Sequence, residues 1–220
     1  MNKPTFRRIM AYIFDIIIIT IIVSALSSIK LINPYHEKYG EAVESYESYV
    51  NELYKNPQNI TNMFNDEEAV MLVYNVAHYG VYTNIISLVV TFLYFVVFQY
   101  YTGGKTAGKK IMGIEVVTTK GKKLEFKQLL IRSAVFNSLI TSSILVICVL
   151  TLKVKPFTTA SSIIEMIDFG LILACIAMVI YRTDGVGLHD YLAKTRVILS
   201  SEKELLNKKP KEAKIVEKEN

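Results

Sequence analysis

The fold is decided by the stretch Arg8-Ile-Met-Ala-Tyr-Ile-Phe-Asp15, which is followed at once by the mostly apolar residues 16–29. Between Ile9 and Ile29 the only charged side chain is Asp15. This run is long enough to cross a bilayer core of about 30 Å as one helix. A carboxylate at the middle of such a helix costs about 2.5–3.5 kcal/mol on insertion scales. The sequence therefore predicts a membrane span in which Asp15 has a partner, a water-filled cavity or a proton.

A cleaved signal peptide is the alternative interpretation of this first span. The residues before it are basic, and Val23-Ser24-Ala25 resembles a signal-peptidase site. However, Asp15 would lie inside the apolar region of the signal, and the apolar run is longer than such regions usually are. These two features favour a first span that is retained.

The overall composition is also typical of a membrane protein. Hydrophobic residues make up 51% of the chain and charged residues 20%, so the charges must be segregated from the apolar runs. The net charge of +5 reflects membrane topology rather than binding to nucleic acid. Cys148 and Cys175 both lie in apolar runs, which predicts buried, reduced thiols and neither a metal site nor a cofactor.

Three further apolar stretches predict membrane-spanning helices. They cover residues 81–101, 129–152 and 163–181, and together with 9–29 they predict an all-α membrane protein built as a four-span helical bundle. The segment 30–80 is acidic and rich in tyrosine. We expect it to be a helical loop outside the membrane core.

Two helices are predicted within this acidic loop. Apolar residues from Tyr39 to Leu53 recur at spacings of three and four, which indicates an amphipathic helix. A second helix is expected to begin at Asn65 as its N-cap, with Glu68 at the third helical position.

The distribution of Lys and Arg predicts the orientation. The segments before the first span, between the second and third, and after the fourth contain 19 of these residues, against 5 in the other two connecting segments. The positive-inside rule then places both termini in the cytoplasm and the 30–80 loop outside. The membrane domain covers residues 1–200, and residues 201–220, rich in Lys and Glu, are expected to form a disordered cytoplasmic tail.

The segment Thr102-Gly-Gly-Lys-Thr-Ala-Gly-Lys-Lys110 resembles part of a phosphate-binding loop. Gly103 to Lys109 fits the G-x-x-x-x-G-K pattern, but Lys110 stands where that loop needs Ser or Thr to hold magnesium. The sequence that follows reads as a strand, whereas the loop requires a helix. We therefore expect no nucleotide here, and glycines that let the chain turn sharply out of the membrane.

A small cytoplasmic β-hairpin is predicted after this turn. It pairs residues 115–119 with residues 122–126 around Lys120-Gly121, and its lysines are placed to lie against the head groups of the lipid bilayer. Thr195–Leu199 also suits a strand, and it could pair with residues 111–118 because both are expected in the cytoplasm.

The partner expected for Asp15 is Arg132. Arg8 and Asp15 are seven residues apart and therefore lie on one face of the first helix. Arg132 enters the third span from the same side at a similar depth, where an arginine–carboxylate pair would lower the cost of both charges. Such a pair either holds the helices together or exchanges a proton or cation. Asp168 in the fourth span is a second intramembrane carboxylate.

Three patterns resemble the RDD family of bacterial membrane proteins: Arg8-x-x-Ala11-x-x-x-Asp15, the run Gly-Lys-Thr-Ala-Gly-Lys-Lys-Ile-Met-Gly-Ile-Glu-Val-Val at 104–117, and Leu188-His-Asp190 with Thr195-Arg-Val-Ile. The arginine and the two aspartates that name the family fall on Arg8, Asp15 and Asp190. The resemblance covers about residues 6–30 and 80–199, and the acidic loop is longer than expected for the family. It implies a multi-pass protein of the bacterial cell membrane. Some members are described as transporters or cation/proton antiporters, and most have no established activity.

Three classes of function are open at this point. A transport protein for a proton or monovalent cation would use Asp15, and it would need a homo-oligomer or a partner membrane protein because four spans enclose little space. A non-catalytic adaptor would dock partner proteins through the 30–80 loop or the hairpin. A membrane enzyme has the weakest case, because His189-Asp190 lacks a further nucleophile or ligand cluster and is typical of polar surface. We expect no enzyme and no nucleic-acid partner.

Overall fold

The computed structural model describes residues 4–55, 66–119 and 124–202, and most of these residues are helical. The helices are α1 (Thr5–Ser27), α2 (His36–Lys55), α3 (Glu67–Tyr79), α4 (Val81–Phe92), a π-helical segment (Leu93–Phe98), α5 (Gln99–Tyr101), α6 (Ala107–Ile111), α7 (Phe126–Phe136), α8 (Leu139–Thr151), α9 (Val154–Tyr181) and α10 (Leu188–Ala193). Two strands, β1 (Ile114–Thr118) and β2 (Thr195–Leu199), complete the described part.

The predicted membrane spans are confirmed, with two changes. Among the described residues, α1, Val81–Tyr101 and α9 are each long and apolar enough to cross a bilayer. The third predicted span is broken, because α7 and α8 meet at 62° around Asn137 and Ser138. Ser138 has a left-handed backbone, with φ of 53°.

The fourth membrane span is longer than predicted. Its helix, α9, begins at Val154 rather than at Ile163, so it takes in most of the segment that was expected to connect the third and fourth spans. Pro156 is compatible with this earlier start because it lies in the first helical turn, where a missing N–H costs no hydrogen bond.

The chain divides into two compact units. The first takes its residues from 1–18, 92–137 and 172–220, and the second from 19–91 and 138–171. The helices α1 and α9 contribute residues to both.

The second unit contains the acidic loop, which is helical as predicted. The apolar positions of α2 are half-buried, whereas its glutamates are exposed to solvent. The helix α3 begins one residue later than predicted: its N-cap is Asp66, whose carboxylate accepts the N–H of Glu68 at 2.9 Å, and Asn65 lies outside the described residues. Val81, Val149 and Phe157 form a buried core in this unit.

The first unit contains the two-stranded sheet. The small predicted sheet is confirmed, with β1 antiparallel to β2 and Val116 opposite Val197. The second strand is therefore Thr195–Leu199 and not 122–126. Of that predicted strand, Leu124 and Glu125 are irregular and Phe126 begins α7, while 122 and 123 lie outside the described residues. The predicted tail from residue 203 onward also lies outside them.

Candidate functional site

Asp15 is fully buried and accepts three hydrogen bonds in the first unit. The Tyr94 hydroxyl donates to its Oδ1 at 2.7 Å, and the Thr106 hydroxyl donates to its Oδ2 at 2.5 Å. The backbone N–H of Gly108 donates to Oδ1 at 2.8 Å. Hydrogen bonds to a carboxylate favour its charged form, so these donors stabilise a charge that the bilayer alone would disfavour.

Two of these three donors come from the start of α6. Thr106 is the N-cap of α6, and its side chain accepts the N–H of Lys109 at 3.3 Å. The unpaired N–H groups at a helix N-terminus attract a negative charge. The resemblance to a phosphate-binding loop therefore has a physical basis, although the anion held here is the carboxylate of Asp15.

The motif glycines have separate steric roles. A Cβ added to Gly108 would lie 2.1 Å from the backbone oxygen of Ala11, so only glycine lets α6 approach α1 this closely. Gly103 and Gly104 have φ of +69° and +97°, which confirms the predicted sharp turn after the second span.

Lys109 is the nearest cation to Asp15. Its Nζ lies 3.9 Å from Oδ2 of Asp15 and 5.5 Å from the ring centre of Phe95. Burial, together with the nearby charges of Arg132 and Arg8, lowers the pKa of Lys109 to about 7, and the attraction of Asp15 only partly opposes this shift. Lys109 can therefore gain or lose a proton near neutral pH.

Asp190 pairs with two arginines. The Arg8 and Arg132 guanidinium groups each form an ion pair with one of its carboxylate oxygens. The Thr195 hydroxyl donates to Oδ1 at 3.1 Å, and Arg8 also donates to the backbone oxygen of Gly185 at 2.5 Å. The predicted pairing of Arg132 with Asp15 is therefore wrong, because Arg132 belongs to the Asp190 cluster.

His189 is buried beside this cluster. The sequence suggested polar surface for both His189 and Asp190, and this prediction is wrong because both are buried. Burial and the charges of Arg132, Arg8 and Lys109 hold the pKa of His189 well below its usual range. Its Nε2 lies 3.4 Å from Oδ2 of Asp190, but a neutral ring makes no ion pair. In the described structure Nδ1 of His189 has no hydrogen-bond partner.

A cavity of about 360 Å³ lies within the first unit. Arg8, Lys109, Arg132 and His189 line it, together with many apolar residues, half of the remaining lining being apolar side chains of α1 and α9. The two buried aspartates are not among its lining residues. The cavity is therefore lined by the cations that lie near Asp15 and Asp190, but not by either carboxylate.

Asp168 does not join these groups. It belongs to the second unit, where it accepts hydrogen bonds from Ser138 at 2.6 Å and from Thr141 at 2.7 Å. These hydroxyls satisfy the carboxylate at the break between α7 and α8. Asp168 is thus placed to hold the broken span, and no arginine or lysine pairs with it among the described residues.

Several residues of the site were not predicted. Lys109 and Gly108 were noted only as parts of a turn, although the Gly-Lys pair was visible in the sequence. Tyr94 has no distinguishing signal among the many aromatic residues of the second span. It lies in the π-helical segment, an uncommon geometry that is frequent at functional sites and cannot be read from hydropathy.

Over the ranges 4–55, 66–119 and 124–202, no group of three or more His, Cys, Asp or Glu side chains is placed to hold a metal ion.

Comparison with known proteins gives one match. The model of the RDD family matches residues 3–194, which include the long acidic loop and end just before β2. No curated protein and no solved structure matches the chain.

Proposed function

Because the chain belongs to the RDD family, we propose that it is a membrane protein that exchanges a proton for a monovalent cation at Asp15 and Lys109. The observation that carries the proposal is the position of Lys109. This side chain lines the cavity, and its Nζ lies 3.9 Å from a carboxylate that is buried within a membrane span.

The charges around Lys109 support this role. Asp15 and Arg8 face it from α1, Arg132 faces it from α7, and the neutral His189 faces it from α10. Two of these neighbours are cations and only one is an anion. Burial is the main cause of the low pKa of Lys109, and this balance of charges lowers that pKa further, so the proton of Lys109 is easily lost.

The exchange follows from charge compensation. The Asp15 carboxylate needs a positive charge nearby, because an unpaired charge in the bilayer is costly. Protonated Lys109 supplies that charge. When Lys109 releases its proton, a monovalent cation can supply the charge in its place, so that the proton on Lys109 and the cation are alternative sources of the charge that compensates Asp15. The predicted use of Asp15 is retained, but the group that titrates is Lys109.

Sealed vesicles containing the purified protein test this function. A pH gradient across the vesicle membrane should dissipate when sodium, lithium or potassium is added. Lys109→Gln should abolish the response while the protein remains folded and inserted, and Asp15→Asn should abolish it as well. Lys110→Gln is the matched control, since it removes an exposed lysine one residue away and should leave the flux unchanged.

Two outcomes contradict the proposal. If the wild type gives no flux with any of the three ions, exchange of these ions is refuted. If Lys109→Gln retains full flux, the titrating group has been assigned wrongly.

A non-catalytic adaptor is the second candidate, and one observation favours it. The three donors to Asp15 are all protein groups, from Tyr94, Thr106 and Gly108, which is sufficient for a carboxylate whose task is to anchor α6 on α1. An absence of flux, combined with co-purification of a partner through the 30–80 loop, would make this the better explanation.

The setting proposed for either function is the bacterial cell membrane, with both termini in the cytoplasm. The distribution of Lys and Arg supports this orientation. Transport would also require a homo-oligomer or a partner membrane protein, because three spans and one broken span enclose little space.

A further inference from the structure

The charged groups that line the cavity, with the carboxylates behind them, carry more positive than negative charge. Arg8, Lys109 and Arg132 line the cavity, and no carboxylate does so among the described lining residues. Behind them, the single charge of Asp190 is shared between two guanidinium groups, and the carboxylate of Asp15 lies 3.9 Å from Lys109, so three cations face two carboxylates. A bound anion would therefore reduce the repulsion among these cations.

Two residues that line the cavity each carry a buried acceptor without a partner. Nδ1 of His189 and Oδ1 of Asn137 have no hydrogen bond in the described structure, and His189 is only 2% exposed. Because the neutral His189 ring turns Nε2 toward the carboxylate of Asp190, its Nδ1 is left as an acceptor. A buried acceptor without a donor is costly. A ligand with hydroxyl groups would supply the donors.

The rim of the cavity is formed by exposed apolar side chains of two candidate membrane spans. Ile9 and Ile13 of α1 and Ile176 and Ile180 of α9 line the cavity, yet they remain 42–49% exposed. Both helices are long and apolar enough to span a membrane, and in a bilayer the exposed apolar side chains of such helices would contact acyl chains. With both helices in a bilayer, this part of the cavity would be open to lipid.

We propose that this cavity binds an anionic phospholipid with a hydroxylated head group, of the phosphatidylglycerol type. The cations would hold the phosphate, and the head-group hydroxyls would donate to His189 and Asn137. The upper part of an acyl chain would lie along the isoleucines of the rim. The volume falls within the range of about 300–1,000 Å³ that is usual for small-molecule sites. This lipid is not the exchanged ion, and its binding does not depend on whether any ion moves.

Fluorescence quenching by brominated lipids tests the proposal, because the chain contains no tryptophan. Ile176→Trp places one reporter at the rim. Leu173→Trp is the matched control, since it lies on the same helix and is exposed but does not line the cavity. In mixed vesicles, the Ile176→Trp protein should prefer brominated phosphatidylglycerol over brominated phosphatidylcholine by at least about fivefold, the effect of one basic residue on an anionic lipid. The Leu173→Trp protein should show no preference.

A second variant tests the role of the cations. Lys109→Gln in the Ile176→Trp background should lower the preference several-fold, whereas Lys110→Gln should leave it unchanged. Equal quenching of Ile176→Trp by the two lipids would overturn the proposal. Displacement of the lipid by millimolar glycerol phosphate would also overturn it, because the cavity would then bind the free head group.

Native mass spectrometry covers the case in which Ile176→Trp does not fold. The unaltered chain, released from detergent with equal amounts of the two lipids, should retain phosphatidylglycerol preferentially. Equal retention of the two lipids would contradict the proposal.

Discussion

The ion pairs of Asp190 allow a quantitative test of what holds the first unit together. Asp190→Asn preserves the shape of the side chain but removes the charge that Arg8 and Arg132 share. Asp190 is fully buried, and the two arginine side chains are only 12% and 10% exposed. Removal of one partner from a buried ion pair costs about 3–5 kcal/mol, because the remaining charge is left without compensation. That is a large fraction of a total stability of about 5–15 kcal/mol.

Thermal unfolding in detergent, followed by circular dichroism, measures this loss. For a chain of 220 residues, each kcal/mol corresponds to about 2–4 °C in the melting temperature. Asp190→Asn should therefore lower the melting temperature by about 6–20 °C. Adding Arg132→Gln should restore part of the loss, because it removes one of the two unpaired cations.

The matched control is Asp184→Asn. Asp184 pairs with Arg182 at 2.7 Å, but both side chains are more than 40% exposed and water screens their attraction. Its melting temperature should stay close to that of the wild type. If Asp190→Asn lowers the melting temperature no more than Asp184→Asn does, the Asp190 cluster does not stabilise the protein in the way argued here.

Three further predictions concern the packing of α6, the titration of Lys109 and the topology. Gly108→Ala should lower the melting temperature or abolish insertion, because its Cβ would meet backbone at 2.1 Å, while Gly40→Ala, with open space around it, should be neutral or slightly stabilising. The pKa of Lys109 is about 7 in the folded protein and about 10.4 in an unfolded chain, so the unfolded chain binds more protons between these values. Stability should therefore rise with pH across that range, by up to about 1.4 kcal/mol per pH unit, and melting curves of Lys109→Gln should show a flatter rise. A reporter active only in the cytoplasm should be active when fused after Lys120 and inactive after Glu47; the reverse would refute the orientation.

The membrane spans could be predicted from the sequence because the apolar runs are long and nearly free of charge. Their ends and breaks were harder to predict. The run 129–152 is continuous in hydropathy, yet Ser138 adopts a left-handed backbone. Such a backbone is usually predicted from a glycine, and residue 138 is a serine. Pro156 lies in the segment that was expected to connect the third and fourth spans, although a proline fits equally well in the first turn of a helix.

The contacts of the site were predicted less well than the residues that make them. Arg8, Asp15 and Asp190 all lie in the first unit, as two clusters. A comparison of depths within the spans suggested Arg132 for Asp15, but that comparison took no account of the segment after the fourth span. The segment after the fourth span supplies Asp190 to both arginines. Asp15 also accepts a hydrogen bond from a backbone N–H, that of Gly108, and such a donor cannot be recognised from the side chains in a sequence.

The two motifs of the first unit are complementary parts of one contact. Gly108 has no side chain, and it permits a distance between α1 and α6 that a Cβ would prevent, because that Cβ would meet the backbone oxygen of Ala11. At that distance the N–H of Gly108 reaches Asp15, one helical turn after Ala11. The carboxylate then satisfies donors at the start of α6, and α6 supplies the hydrogen bonds that a carboxylate in a membrane span requires. Neither the arrangement of α6 nor the burial of Asp15 is favourable without the other, so a change on either side should affect both. The same contact places Lys109, the next residue, between Asp15 and the cavity, which is why one short motif serves both the packing of the unit and the chemistry proposed for it.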